Sequence, residues 1–184
     1  MGNRAMKKAA LAAEGAGQEA GQEAGHDMDR ESKRGRGGGG GARDRRLTAN
    51  LHLYWYSLKV DREPPAFFKF DPTSIPALWP ACLLAVREEG SGAFRLADLG
   101  SALANDGPAP ARGLAVDAVP EDTLVGRALG CLAGAFSTRE AVRLQGRFRH
   151  RNSTEMLYRA IGLPFLDVRG GLTYVVCAIG GKAA

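Results

Sequence analysis

Arg143, Arg147, Arg149 and Arg151 stand at alternating positions of one short stretch, the first pair with Gln145 between them. Alternate residues of a strand share a face, so these arginines and Gln145 fall on one side. Val142, Leu144, Phe148 and His150 fall on the other. A guanidinium is a planar fork that suits phosphate oxygens. The stripe reads as an anion-binding face for a phosphate-bearing metabolite or nucleic acid. The reading to be preferred is a solvated outer sheet face, its arginines met by Glu155 or Asp167 across strands. A second spacing is Gly126, Gly130 and Gly134, four residues apart on one helical face. An interior helix glycine costs about 1 kcal/mol relative to alanine. Three in register mark a close approach by the sheet, by a ligand over a pocket floor, or by a partner helix. Leu124, Ala128, Cys131 and Leu132, with Phe94 and Phe148, are the apolar groups that would line such a cavity.

Other chemistry is sparse. Cys82, Cys131 and Cys177 each sit inside an apolar run with no Cys-x-x-Cys spacing. They read as buried small hydrophobes in a reducing compartment, not as a disulfide framework or zinc site. His26 is in the N-terminal tail, His52 lies off the main apolar stripe of its helix, and His150 faces inward near a strand end. Gly-x-Ser-x-Gly, the phosphate-binding Gly-Lys-Ser/Thr loop and His-Glu-x-x-His are all absent from the sequence. The adjacent acids Glu88-Glu89 and Glu121-Asp122 stand at element ends. The reading is of a non-enzyme with no metal.

The elements that must position these residues begin late in the chain. All 13 aromatic residues and all 9 prolines lie after Arg46. A Gly-, Ala-, Glu- and Arg-rich segment without aromatics buries too little apolar surface to offset its ordering entropy. Residues 1–46 therefore read as a disordered tail, with the low-complexity Gly17–Gly25 and the basic linker Arg34–Arg46. Residues 47–184 are enough for one domain. That part carries fifteen Lys/Arg and thirteen Asp/Glu, so it is close to neutral. The pI of 9.4 is then no sign of a nucleic-acid-binding domain, which should concentrate charge on one face. No apolar run approaches the ~20 residues that span a bilayer, and the chain reads as cytoplasmic.

Leu47, Leu51, Tyr54, Trp55 and Leu58 make one helical stripe, in an opening helix over about 47–62 stopped by Pro64-Pro65. Leu53 and Tyr56 point away from it. They read as a dimer or partner contact, or as a face tucked under a neighbouring loop. Ala66–Phe70 reads as extended, and Asp71-Pro72 opens a short helix to about Leu78. Ala81–Arg87 and Ala93–Leu99 read as a hairpin. A helix follows from Pro120-Glu121-Asp122 to about Phe136. Then come strands over about Ala141–Arg151, Glu155–Phe165 and Leu172–Gly180, with a turn at Arg169-Gly170-Gly171. The order is that of a five-stranded antiparallel sheet with helices on one face, an α+β domain.

This order and the residues that fill it resemble the PAS-like family of small single-domain alphaproteobacterial proteins. The resemblance rests on Tyr54-Trp55 in the opening helix. It rests also on the run Pro65, Asp71-Pro72, Ile75-Pro76 and Trp79-Pro80, and on Leu163-Pro164-Phe165 followed by Gly170-Gly171 and Val175–Gly180. The sequence departs in the middle, where Arg95-Leu96 is followed by Ala97-Asp98-Leu99-Gly100-Ser101 and a Pro/Ala-rich stretch. The resemblance implies a sensory or regulatory module in signalling, without catalysis, that binds a small ligand in its cavity or associates with a second copy or a signalling protein. It implies no haem, because Glu121–Phe136 carries no histidine, and no flavin, because Gly-x-Asn-Cys-Arg-Phe is absent. The alternative is a nucleic-acid-associated protein using Arg34–Arg46 and the Arg143–Arg151 face.

Overall fold

A computed structural model describes residues 40–107 and 112–184 of the chain. The expected disordered tail lies outside the described residues as far as residue 39. The structure opens on helix α1, Gly40–Leu58. The helix starts seven residues before the expected Leu47, because Arg43, Arg45 and Arg46 are good helix formers that extend its anchored half. It also ends before the prolines. Arg62 stands where the stripe of Leu51, Trp55 and Leu58 would need its next apolar group.

Short 3-10 turns at Phe67–Lys69, Pro72–Ser74 and Trp79–Ala81 lead into the sheet. Asp71 is the expected cap, its Oδ1 accepting the Thr73 N–H at 2.9 Å. The helix expected to run on to Leu78 stops after one turn, where Pro76 removes a donor. The supposedly extended Ala66–Phe70 is instead the first of these turns. It stacks Phe67 on Tyr174 with centroids 4.1 Å apart.

The sheet is β1 Cys82–Arg87, β2 Phe94–Leu99, β3 Val142–Arg149, β4 Glu155–Leu166 and β5 Leu172–Ala183. Every pairing is antiparallel, in the order β2-β1-β5-β4-β3. Between β2 and β3 lie α2, Leu124–Leu129, and α3, Leu132–Thr138. They pack on one face, where Val125, Ala128, Cys131 and Ala135 meet Leu83, Val175 and Cys177.

The opening helix is the exception to helices on one face. α1 lies on the opposite face, its Leu51 and Trp55 buried against Ile161, Leu163, Phe165 and Val176. Trp55 Nε1 donates to the Pro164 carbonyl at 2.8 Å. Cover on both sides is why 160–165 and 175–179 are buried without alternation.

Candidate functional site

The expected helix Glu121–Phe136 is two helices. Gly130 and Cys131 lie between them, and Pro120-Glu121-Asp122 stays outside. The N-terminus of α2 is capped by Thr123, whose hydroxyl accepts the Gly126 N–H at 3.0 Å, and by Asp106. Asp106 Oδ2 accepts the N–H groups of Leu124 and Val125 at 2.5 and 3.3 Å. Its other oxygen lies 2.5 Å from His150 Nε2.

The three glycines are at close approaches, each to something different. A Cβ on Gly126 would sit 2.2 Å from the Pro120 carbonyl oxygen. One on Gly130 would meet Leu144 at 3.3 Å, and one on Gly134 would meet Val142 at 3.2 Å. The reciprocal gap is Gly162 of β4, where a Cβ would lie 2.6 Å from the Cβ of Cys131.

The residues expected to line a cavity pack on each other and on the sheet. Ala128, Cys131 and Leu132 are buried in the α2–α3 core. Leu124 covers Gly181, and Phe94 meets Phe136 edge to face at 5.6 Å. Phe148 lies under the Arg127 guanidinium at 5.1 Å and against Tyr158. Open space lies beside them, in a cleft of about 390 Å³ lined by Val119, Gly126, Arg127, Gly130, Leu144 and Tyr158 among others. Arg127 Nε is buried and has no hydrogen-bond partner among the described residues.

Burial holds all three cysteines as thiols. It pushes the pKa of Cys82 and of Cys131 up to about 12 and raises that of Cys177 well above the usual thiol range. None of them is an activated nucleophile.

His150 faces inward, as its strand position suggested. The hydrogen bond it donates to the Asp106 carboxylate raises its pKa above the usual histidine value; burial and Arg151 oppose the shift. Folding therefore gains from protonated His150 fully below about pH 6.5, the unfolded value. The gain is lost as pH rises through the folded value. The melting temperature should fall from pH 6 to pH 8 in the native chain, and H150Q should flatten that dependence. A profile unchanged by H150Q would mean the contact does not carry the linkage.

On the opposite face, the arginine stripe is partly as expected. Arg143, Gln145, Arg147 and Arg149 share the α1 side of β3 and are exposed. Arg151 does not belong with them. The strand ends at Arg149, and the Arg151 guanidinium turns back to the carbonyls of Asn105 and Asp106, at 3.4 and 2.9 Å. Of the suggested partners, Glu155 stands opposite Arg149. Asp167 is engaged in the β4–β5 turn, where it accepts the N–H groups of Arg169 and Gly171.

Arg143 Nη2 lies 2.8 Å from His52 Nδ1. Burial first and Arg143 second lower the His52 pKa, so the ring is neutral and accepts from the guanidinium. Arg45 of α1, Arg159 of β4 and Lys182 of β5 line the same side. Arg45 belongs to the Arg34–Arg46 run that the nucleic-acid alternative joined to this face, whereas Arg159 and Lys182 were missed, because only the register of separate strands brings them here. Leu53 and Tyr56 are each 66% exposed on the outer side of α1, and no loop among the described residues covers them.

Sheet order and the helical layer between β2 and β3 define a PAS-like α+β domain. No family model matches the chain, and no curated protein matches it. Among solved structures it is similar to a sensory box histidine kinase/response regulator from Burkholderia thailandensis E264. That match has 15% identity and a TM-score of 0.32, over 61% of this chain and 86% of that chain. Among the described residues, no helix is long and apolar enough to cross a membrane.

Proposed function

We propose that this protein is a sensory or regulatory module of the small alphaproteobacterial PAS-like kind, non-catalytic, that acts by association through the outer side of α1. The observation that carries the reading is the two-sidedness of that helix. Leu51 and Trp55 are 0% and 1% exposed against the sheet, while Leu53 and Tyr56 are 66% exposed on the reverse. Val60 at 78% continues the apolar line past the helix end. The occupant is a second copy of this chain. The outer side carries Ala49, Asn50, Leu53, Tyr56 and Ser57, all exposed and none charged. An antiparallel pair about a two-fold axis sets Leu53 and Tyr56 against their equivalents and brings no like charges together at the centre. A small ligand would enter at the cleft beside Gly126 and Gly130, since the space between α2, α3 and the sheet is filled by side chains.

The full chain should therefore show a concentration-dependent dimer by sedimentation velocity, and L53E/Y56E should be monomeric with an unchanged melting temperature. A wild-type chain that stays monomeric throughout the series, or a double variant that still dimerises, would sink this surface. Capture of a different protein in place of a second copy would also overturn the choice of occupant.

A further inference from the structure

The face of the sheet beside α1 concentrates positive charge that the near-neutral domain does not have on average. Arg143, Arg147 and Arg149 of β3 share this side with Arg159 of β4, Lys182 of β5 and Arg45 of α1. β3, β4 and β5 contribute one carboxylate to it, Glu155, opposite Arg149. All of these cations but Arg149, which stands next to Arg147 along β3, line two adjoining grooves of about 550 and 460 Å³ that share Arg45, Gln145 and Arg159. Arg159 Nε donates to Gln145 Oε1 at 3.2 Å, which fixes its guanidinium beside the groove floor. Arg143 is fixed in the same way by His52.

We infer that this surface binds the phosphate backbone of a single-stranded nucleic acid. Three features select that partner over an acidic protein. Most of the cations are arginines, whose forks suit phosphate oxygens. Residues two apart on an extended strand repeat at about 6.6 Å, so β3 offers a linear row of three arginines, with Gln145 between Arg143 and Arg147, to a linear polyanion. The grooves run between helix and strands and admit a narrow chain. Neither groove is lined by an aromatic ring that lies on this side of the sheet, since Tyr158 belongs to the α2 side. Bases therefore have no stacking platform, and binding should be indifferent to sequence. The partner is distinct from the second copy proposed above, and the surface is built from different residues.

The test is fluorescence anisotropy of a labelled oligouridylate of about 12 nucleotides, within the ~4–16 that one small domain covers, titrated with the full chain. Four phosphate contacts on a single strand give a salt slope of about −3, so affinity should fall about 50-fold between 50 and 200 mM salt. R147E/R149E should lose at least about tenfold at the lower salt. Both residues are exposed, and an unchanged thermal melt will show that the fold is kept; R147Q/R149Q is the milder pair. R62E/R169E makes the same change of charge away from the grooves and should leave binding as it was.

No binding at the lower salt would overturn the inference. Equal losses in R147E/R149E and R62E/R169E would overturn it too, by reducing the effect to net charge. So would displacement by oligoglutamate of matched charge as readily as by unlabelled oligonucleotide, which would point to an acidic protein instead. A dimer that fails to form leaves these outcomes readable, because the two surfaces do not share residues.

Discussion

Replacing Trp55 with alanine should cost about 3–5 kcal/mol of stability, the range for a fully buried large aromatic. Trp55 is 1% exposed and sits between α1 and the centre of the sheet. Its loss opens a cavity against Leu163 and Phe165, and the Pro164 carbonyl loses the indole N–H that it accepts. The indole also lies 4.6 Å from the Lys59 ammonium, a contact that alanine removes. W55F separates these contributions. It keeps most of the apolar volume, forfeits the hydrogen bond, and should cost about 1 kcal/mol from that source plus the smaller ring. Urea denaturation of both variants measures the difference through the midpoint. A W55A loss below about 1 kcal/mol would mean that α1 is not docked on the sheet as described.

Gly126→Ala is expected to destabilise by about 1–3 kcal/mol or more, although alanine is the better helix former by about 1 kcal/mol. The new Cβ would lie 2.2 Å from the Pro120 carbonyl oxygen and 2.8 Å from Glu121 Cα. Those are backbone atoms of the loop that caps α2, and they have no rotamer to change. Gly134→Ala is the contrast. Its Cβ would meet only the Val142 side chain, at 3.2 and 3.3 Å. Its intrinsic helix gain of about 1 kcal/mol should offset most of that contact. Thermal melts of the pair decide it. If G126A were as stable as G134A, the close approach at Pro120 would not be the reason for the first glycine.

The strands were legible because they announce themselves locally. Cys82–Arg87, Leu172–Ala183 and the arginine-alternating β3 are runs of the right length bounded by turn residues, and Gly170 takes the positive φ of 81° that its turn needs. The cover on both sides of the sheet was missed, because element order suggested helices on one face only, yet its sign was present. Ile161–Phe165 and Val175–Ile179 do not alternate, which is how a doubly covered strand reads. The break between α2 and α3 was not legible, because Gly130 continues the same four-residue spacing as its neighbours. The cap on α2 was hidden for a different reason. Asp106 comes from a loop 18 residues upstream of Leu124, and no local pattern ties the two.

The two surfaces differ in the same way. Leu53 and Tyr56 stand off the Leu51–Trp55 stripe of a single helix, so their exposure could be read before any fold was known. The basic face is assembled from α1 and three strands. Sequence spacing showed its β3 row alone, and wrongly added Arg151, whose guanidinium bonds the carbonyls of the loop at Asn105 and Asp106. Average charge hid the rest, since a domain close to neutral still carries several cations on one side of its sheet.

Among the described residues, the sheet has one edge that is open along its whole length. The outer side of β2 is covered at Arg95 and Leu96 by residues 113–115, through Leu96 N–H to the Leu114 carbonyl, Gly113 N–H to the Leu96 carbonyl, and the bridge between Arg95 and Ala115. β3 pairs with β4 and with no other strand. Among the described residues, β3 is therefore the longer free edge for strand addition from another chain, and two copies joined there about a two-fold axis would cover it in both. Assembly by that route closes at a pair. Arg143, Arg147 and Arg149 guard the edge against even that step, because their like charges would be set against one another across the new seam.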